Sequence, residues 1–592
     1  MKSLRAFGRL FTIYKKHRGR LIFSQVLLLG AATLMMLAQA LVSPTINVGI
    51  DNGGNTQVLV RHTLLMVLLA LGAGACFAGV AHYATLFSQG TAWWLRVHVY
   101  DRITSFSAGN FDQHRTGQLM VNLNTDVTYV AFAVQFSMML MLFAPFMVLV
   151  AFILGLATAP ELSWMILVVA VVVILIMLVM VPRIFKAAQQ RQKALDDINN
   201  AVQEDLTGIR VVKAFVREKL EIEKFEQRTV LLRNATFASA FIVGFMMPLL
   251  QGIGQLSRAL ALAAGGPYIE SGELNVGTVI AFTQFLALIV TPMALLSVLI
   301  PFLLRGANSA ERIFAILDTE PTVQDKPDAK PVERSQMKGR IAFENVSFAY
   351  RRPDGEFDPP VLKNVSLTIE PGERVGFLGS TGSGKSTLVN LLPRFYDVTE
   401  GRITIDGIDV RDIPQDDLRQ VVGIALQEAV LFQGDVRFNL KFGTPDVDDE
   451  VMFGAAKAAD AYGFVDSMPQ QWEAPVARRG YNFSGGQRQR LSMARALAPQ
   501  PRILILDDST SALDVATESR VQAAIPEFAE GTTTLYVAQR ISAVIELDRI
   551  VLLKNGAIDD IGTHEELLAR NELYQSIYES QLGALPASEV KS

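Results

Sequence analysis

Among 592 residues there is a single cysteine, Cys76. It has no intrachain partner, so a disulfide framework is excluded. It lies in an apolar stretch and reads as a small buried or lipid-facing hydrophobe, not as a reactive thiol. Charge is scarce as well. Asp, Glu, Lys and Arg make up 19% of the chain, against 50% hydrophobic residues. Mean hydropathy is +0.29, high for a soluble protein. The formal net charge of −4 says little about partners, and no nucleic-acid partner is expected. The length predicts more than one domain.

The scarcity of charge is uneven. Residues 21–50, 62–95, 127–160, 162–182, 234–257 and 274–304 contain no Asp, Glu, Lys or Arg. Each run reaches the ~20 residues that a helix needs to cross a bilayer. Helices are the economical choice there, because lipid leaves no partner for unpaired backbone groups. Six spans are predicted, at about 21–47, 63–88, 128–157, 162–182, 236–264 and 276–304. The third and fourth are separated only by "LATAPELSW" around Glu161, which reads as a tight hairpin. The first run is too long for a signal-peptide core and reads as a retained anchor.

Lys and Arg give the orientation. "FTIYKKHRGR" (11–20) is basic, and 183–233 holds eleven Lys and Arg, whereas "TAPELS" and "YIESGELNVG" hold none. Basic loops stay cytoplasmic, so both termini are expected inside. Two polar intervals, 90–126 and 184–232, keep helical periodicity and are long for loops. They predict helices that continue well past the bilayer. The tips of these extensions are expected at "GNFDQHRTGQL" (109–119) and "VREKLEIEKFEQ" (216–227); a plain solvated helical face is the alternative for each.

Arg258 follows 24 uncharged residues inside the predicted fifth span. Intramembrane charges usually face a cavity or a counter-charge. Gln251 and Gln255 fall on the same helical face, so the three are candidates for a substrate cavity. Snorkelling of Arg258 to the outer interface is the competing reading. Met138, Met139, Met141 and Met147 would suit an adaptable cavity, although lipid-facing packing explains them as well.

The stretch 317–339, "LDTEPTVQDKPDAKPVERSQMKG", is rich in Pro and charge and reads as a linker. An α/β nucleotide-binding domain is expected over 340–585, with a tail at 586–592. "RVGFLGSTGSGKSTLVNLL" places G-x-x-x-x-G-K-[ST] between a strand and a helix. Residues Gly379, Ser380, Thr381, Gly382, Ser383 and Gly384 would wrap phosphate with backbone N–H groups. Lys385 would reach the β- and γ-phosphates of ATP, Ser386 would ligate Mg²⁺, and Thr387 continues the loop into the helix. "RILILDD" is a buried strand that ends in Asp507, a metal ligand, and Asp508. In "YNFSGGQRQRLSMARAL", Ser484, Gly485 and Gly486 open a helix whose free amides suit phosphate.

With these strings the chain resembles a subunit of an ABC transporter of the exporter type: an all-α six-helix transmembrane domain with long helical extensions, followed by a P-loop ATPase domain. "NFSGGQRQR", including Gln487, resembles the family signature. Gln427 in "GIALQEAVLF" resembles its glutamine loop, a metal and catalytic position. "SALD", ending in Asp514, resembles its D-loop, and Tyr350 in "VSFAY" resembles the aromatic that stacks on adenine. The two tips fall where the family has coupling helices. The resemblance implies two ATPase domains sandwiching two ATP molecules, each P-loop facing the other chain's signature.

Three positions depart from that pattern. Asp508 stands where active members carry the catalytic Glu. The carboxylate is one methylene shorter, roughly 1.5 Å further from the attacking water, and a ~1 Å misplacement can cost on the order of 10²-fold. Gln539, in "VAQRIS", replaces the His that contacts the γ-phosphate, and its neutral amide donates a hydrogen bond without carrying charge. Arg478, in "VARRG", replaces a Glu before the signature. The pattern is similar to the degenerate half of heterodimeric bacterial exporters. It implies slow hydrolysis at this chain's own P-loop. Its signature would complete a competent site with a second half-transporter that supplies Glu and His. A competent pocket, a homodimeric exporter and an ATP-gated regulatory membrane protein are the alternatives. The implied substrate is a small amphipathic compound, of multidrug type or lipid-like. No peptidase domain precedes the first span, which counts against a leader-peptide exporter.

Overall fold

In the first and third spans, proline decides where the helix breaks. The computed structural model describes residues 8–10, 18–49, 56–114, 116–352 and 355–582. The basic segment ahead of the first span lies mostly outside these residues, as does the tail 586–592. Pro44 offers no N–H to Ala40, and the first helix, Arg18–Ala40, pauses at Leu41 before Val42–Gly49. Pro145 offers none to Met141, and the third span divides into Val127–Leu140 and Phe143–Thr158. The uncharged runs alone predict both spans to be uninterrupted.

Six helical stretches among the described residues are long and apolar enough to cross a membrane: Gly19–Val48, Thr56–Thr104, Thr116–Thr158, Pro160–Thr207, Glu218–Glu270 and Val276–Leu296. Leu68, Leu71 and Leu178 lie 65–67% exposed, which is unfavourable in water and at ease in lipid. The turn Pro160–Leu162 closes the hairpin around Glu161. Thr56–Thr104 has 49 residues, Trp164–Thr207 has 44 and Glu218–Glu270 has 53. A 49-residue helix is about 74 Å long, more than twice the ~30 Å hydrocarbon core. These are the long extensions expected from the polar intervals.

The second tip is displaced from its expected position at 216–227. The chain reverses through the short helix Ile209–Ala214, and Glu218 already opens the next long helix. Val216 makes the turn at φ 54°. Glu218 and Glu221 then sit in a first turn, where negative charge suits the helix dipole. Lys213 pairs with Glu218 across the turn at 2.9 Å. The charged string is thus a helix start. The first tip, Ala108–Gln113, overlaps its expected position; Ser107 and Asn110 cap it reciprocally.

By its contacts the chain divides into two units. One holds the membrane helices up to Thr319; the other holds Glu320 onward together with the first hairpin tip. The sixth helix runs to Asp318, two residues into the expected linker. In the second unit a six-stranded sheet has the order Ala557–Gly562, Arg549–Lys554, Arg374–Leu378, Thr533–Val537, Ile503–Asp507, Val422–Ala425. The three middle strands are parallel, with Val537 level with both Phe377 and Asp507. Side chains alternate between two cores. Leu504, Leu506 and Tyr536 enter the helical side, and Ile503, Ile505, Leu535 and Val537 enter the side covered by an antiparallel sheet. That second sheet pairs Leu362–Ile369, Ile341–Phe348, Glu400–Ile405 and Ile408–Asp409. Parallel strands buried on both faces need continuous apolar runs, and "ILIL" supplies one.

Candidate nucleotide site

Four parallel strands end side by side, and the segments leaving their carboxyl ends form the site, Gln427 after Val422–Ala425 among them. In an open α/β sheet these strand ends make the ligand crevice. After Leu378 comes the glycine loop. A Cβ on Gly379 would collide with the Leu553 carbonyl oxygen, and Gly384 turns at φ 101° with no room beside Leu362. Only glycine lets the backbone close here. The helix Lys385–Asn390 begins immediately afterwards. Lys385 folds its ammonium back onto the carbonyls of Gly379 and Ser380, at 2.8 and 3.0 Å. Burial pulls its pKa down, against the attraction of Asp507 and Asp508.

After Ile503–Asp507 come the two carboxylates. Asp507 is 3% exposed and accepts from the Ser386 hydroxyl at 2.9 Å. Asp508 turns through φ 47°, while its N–H donates to Val537 O at 2.9 Å. The amides of Gln427 and Gln539 each donate to Oδ2 of Asp508 at 3.3 Å. Burial raises both carboxyl pKa values above the ordinary range; for Asp507 the neighbouring Asp508 adds to the rise, and for Asp508 the Gln427 amide opposes it. A buried and a half-buried acid facing a buried ammonium make an electrostatic arrangement that suits a bound cation and phosphate charge.

One cleft gathers Thr381, Gly382, Gly384, Lys385, Ser386, Thr387, Gln427, Asp507, Asp508 and Gln539. Ser380 and Ser383 belong to the same loop. Tyr350 does not line this cleft. Its hydroxyl shares a hydrogen bond with Thr387 Oγ1 at 3.1 Å, and its ring stands edge-on to Phe348 and Tyr396. The signature residues are elsewhere in the chain as well. Ser484 caps the helix Gly485–Leu497, with Ser484 and Gln487 bonded reciprocally at 2.9 and 3.2 Å. Ser484 and Gly485 are exposed, so amides at this helix end remain available to a phosphate from outside the chain's own cleft. Asp514 caps Val515–Phe528 through Thr517 at 3.0 Å.

No sequence motif assigns a role to Gln489 or Arg540, yet both hold the site together. The buried Gln489 donates to Ser511 Oγ at 3.1 Å and accepts from Ala512 N–H at 2.9 Å. It ties the signature helix to the turn after Asp508. Arg540 donates to Thr510 O at 2.8 Å and pairs with the buried Glu518 at 3.1 Å. Both lie inside strings singled out for their neighbours, and the one sequence cue to Gln489 is a polar residue on a buried face. Arg478 is exposed.

The candidate cavity residues belong to the membrane unit. Leu250, Gly254, Ser257 and Ala261 form the buried stripe of Glu218–Glu270, and Gly254 packs on Val290. Gln251, Gln255 and Arg258 share a second face, turned about 90° from that stripe. Both glutamines are exposed and Arg258 is half-buried.

Residues 21–293 match the family of ABC transporter transmembrane regions, and residues 362–511 match the ABC transporter ATPase family. The chain is 35% identical over 564 residues to the uncharacterized ABC transporter ATP-binding protein YfiB of Bacillus subtilis, covering 94% of this chain and 97% of that protein. It is 32% identical over 576 residues to the ATP-dependent lipid A-core flippase of Syntrophus aciditrophicus, covering 97% and 94%. A bacterial Atm1-family ABC exporter solved with ATP bound superposes with a TM-score of 0.78 at 25% identity, covering 96% of this chain and 99% of that one. A multi-pass membrane protein with a sheet-centred ATPase unit and these matches along nearly its whole length belongs to the ABC transporter family, as an exporter that fuses its transmembrane region to its ATPase domain.

Proposed function

We propose that this chain is one half of a heterodimeric bacterial ABC exporter, with both termini in the cytoplasm, whose own nucleotide site binds ATP and hydrolyses it slowly. The observation that carries the reading is the shared Asp508 carboxylate. It accepts from Gln427 and Gln539 at 3.3 Å each, so the shorter acid is held by two neutral amides, and Gln539 stands where an imidazole would meet the γ-phosphate. ATP is the substrate of the site. Mg²⁺ fits the donor set of Ser386, Asp507 and Gln427, all hard oxygen donors. The direct 2.9 Å contact between the Ser386 hydroxyl and Asp507 brings two of them together. Mg²⁺ would neutralise charge developing on the transferred phosphoryl group. Lys385 meets phosphate oxygens, the loop amides of 379–384 enclose them, and Asp508 orients and takes the proton of water from a retracted position. The signature, Ser484 to Gln487, with Ser484 and Gly485 exposed, supports a partner's site, because it lines no part of the chain's own cleft.

The transported compound is amphipathic, of multidrug type or lipid-like. The flippase relative supports the lipid-like class, and Arg258 with Gln251 and Gln255 favours an anionic group on it. Purified alone and reconstituted, the chain is expected to show little ATP turnover. Coexpression with a half-transporter carrying Glu and His at the two altered positions is expected to restore it. Vigorous turnover by the chain alone, abolished by Asp508→Ala, would overturn the unequal-site reading in favour of a competent homodimer. Arg258→Ala is expected to weaken transport of anionic compounds in vesicles more than that of neutral ones; an unchanged profile removes the cavity role.

A further inference from the structure

The loop that carries Gln539 is gripped from the far end of the polypeptide. The helix Glu572–Leu582 is anchored by Tyr574, which is fully buried and whose hydroxyl shares a 2.7 Å hydrogen bond with His564 Nδ1. Tyr574, Tyr578 and Gln581 stand at i, i+4 and i+7, so they lie on one face, and Tyr578 packs on the same core. That register brings the Gln581 amide over the residues after Thr533–Val537. Its Nε2 donates to Gln539 O at 2.9 Å, and its Oε1 accepts from Ile541 N–H at 2.8 Å. Arg540 between them is extended, at φ −95° and ψ 134°. An extended residue presents the preceding carbonyl and the following N–H on the same side. A single primary amide satisfies both, and only one orientation of that amide does so.

We propose that Gln581 is a positioning residue for nucleotide hydrolysis: by fixing the peptide planes on both sides of Arg540, it sets where the Gln539 side chain stands beside Asp508. Gln539 donates to Asp508 at 3.3 Å, at the long end of hydrogen-bond range, so a small shift of its backbone breaks the contact. The other restraints on this loop hold different atoms. Arg540 reaches Thr510 O, and Gln522 donates to Ala543 O at 2.9 Å. Neither restrains the carbonyl of Gln539. The C-terminal helix is therefore a part of the catalytic machinery that no nucleotide motif contains. The inference rests on the reading of Gln539 as the residue beside the terminal phosphate.

The test uses the full-length chain in nanodiscs, with Gln581→Met to keep the side-chain length and remove both bonds, and Gln581→Glu to keep the acceptor for Ile541 N–H and lose the donor to Gln539. Three quantities are read for each: the single-turnover rate of ATP cleavage, the dissociation constant for ATP, and amide exchange over 533–543. Gln581→Met is expected to slow cleavage about 10-fold, within the range that a sub-ångström to 1 Å misplacement produces. ATP affinity should hold within about twofold, because the glycine loop is untouched. Exchange should accelerate at 538–543 and remain slow at 533–537. Gln581→Glu should fall between wild type and Gln581→Met. An unchanged cleavage rate overturns the proposal. So does a loss accompanied by weaker ATP binding and faster exchange throughout the domain, which would mark a general packing role. Fast cleavage by the wild-type chain would remove the unequal-site reading alone, because the ratio between variants and the exchange pattern still report on Gln581.

Discussion

Asp508 and Gln539 each differ from the expected catalytic residue by a few atoms, and the proposed slow hydrolysis rests on those atoms. Asp508→Glu with Gln539→His is expected to raise steady-state ATP turnover of the reconstituted chain by roughly 10- to 100-fold, the scale attached to ~1 Å of placement. Turnover equal to wild type would mean that the limit lies elsewhere. The buried charges add a pH-dependent consequence. Burial raises the carboxyls of Asp507 and Asp508 and lowers the ammonium of Lys385. A carboxyl raised by folding stabilises the fold while it is protonated, and that contribution disappears as pH rises through the folded value. An ammonium lowered by folding has the opposite dependence: its contribution is lost as pH falls through the folded value. In both cases burial works against the charged form, so the empty site carries a cost that cation and phosphate relieve. Asp507→Asn is therefore expected to raise the melting temperature of the nucleotide-free protein and to abolish the further rise on adding Mg²⁺ and ATP. A lower nucleotide-free melting temperature would contradict this.

At the scale of elements, a π-helical turn, Asn122–Asp126, interrupts the helix that leads into the third span. The extra residue in such a turn reorients its side chains. Asp126 is fully enclosed, and it accepts from Ser309 Oγ at 2.8 Å and from Arg312 Nε at 2.8 Å on the sixth helix. Arg312 also donates to Ser309 at 3.1 Å. Asp126 is buried while the Arg312 side chain is 49% exposed, so removing the arginine leaves a buried carboxylate that water reaches in part, and the about 3–5 kcal/mol of a fully buried pair is an upper range. Arg312→Ala is expected at the low end of that range, because Ser309 still serves Asp126; thermal unfolding in detergent measures it. The double variant Asp126→Leu, Arg312→Met is expected to recover most of the loss. A double variant as unstable as the single one would mean that the pair does more than neutralise itself.

At the scale of the whole molecule, the first hairpin tip belongs by its contacts with the ATPase unit. The Tyr396 hydroxyl donates to Asp112 on that tip at 2.8 Å, and burial keeps the phenol protonated and so a donor. Ser107 and Asn110 bind Thr322 and the Glu320 carbonyl. Tyr396 also stands edge-on to Tyr350, 5.4 Å between centroids, so Tyr396 touches both the tip and the residue expected at adenine. Tyr396→Phe removes one hydrogen bond to a charged but exposed acceptor, roughly 1 kcal/mol. It is expected to leave ATP affinity unchanged while lowering substrate-stimulated ATPase several-fold. Equal stimulation in variant and wild type would show that the tip does not act through this bond.

Contiguous chemistry is legible in the chain by itself. An uncharged run of more than 20 residues states its own relation to lipid, and the glycine loop, the "ILILDD" strand and the signature each carry their function in neighbouring residues. Positions set by the balance of distant contacts were not legible. The second tip lies at Ile209–Ala214, ahead of its expected place, because Glu218 starts a helix there. Asp514 caps its own helix. Gln489, the Asp126–Arg312 pair and the Gln581 clamp join residues tens to hundreds of positions apart, and no local pattern encodes such a meeting. The sequence determined which segments enter the membrane and which loop encloses phosphate, because burial of apolar side chains and backbone closure are properties of short stretches. Only the tertiary structure decided which side chains hold the catalytic loop in place, because a hydrogen bond needs both partners at one point in space and the chain reaches that point from separate elements.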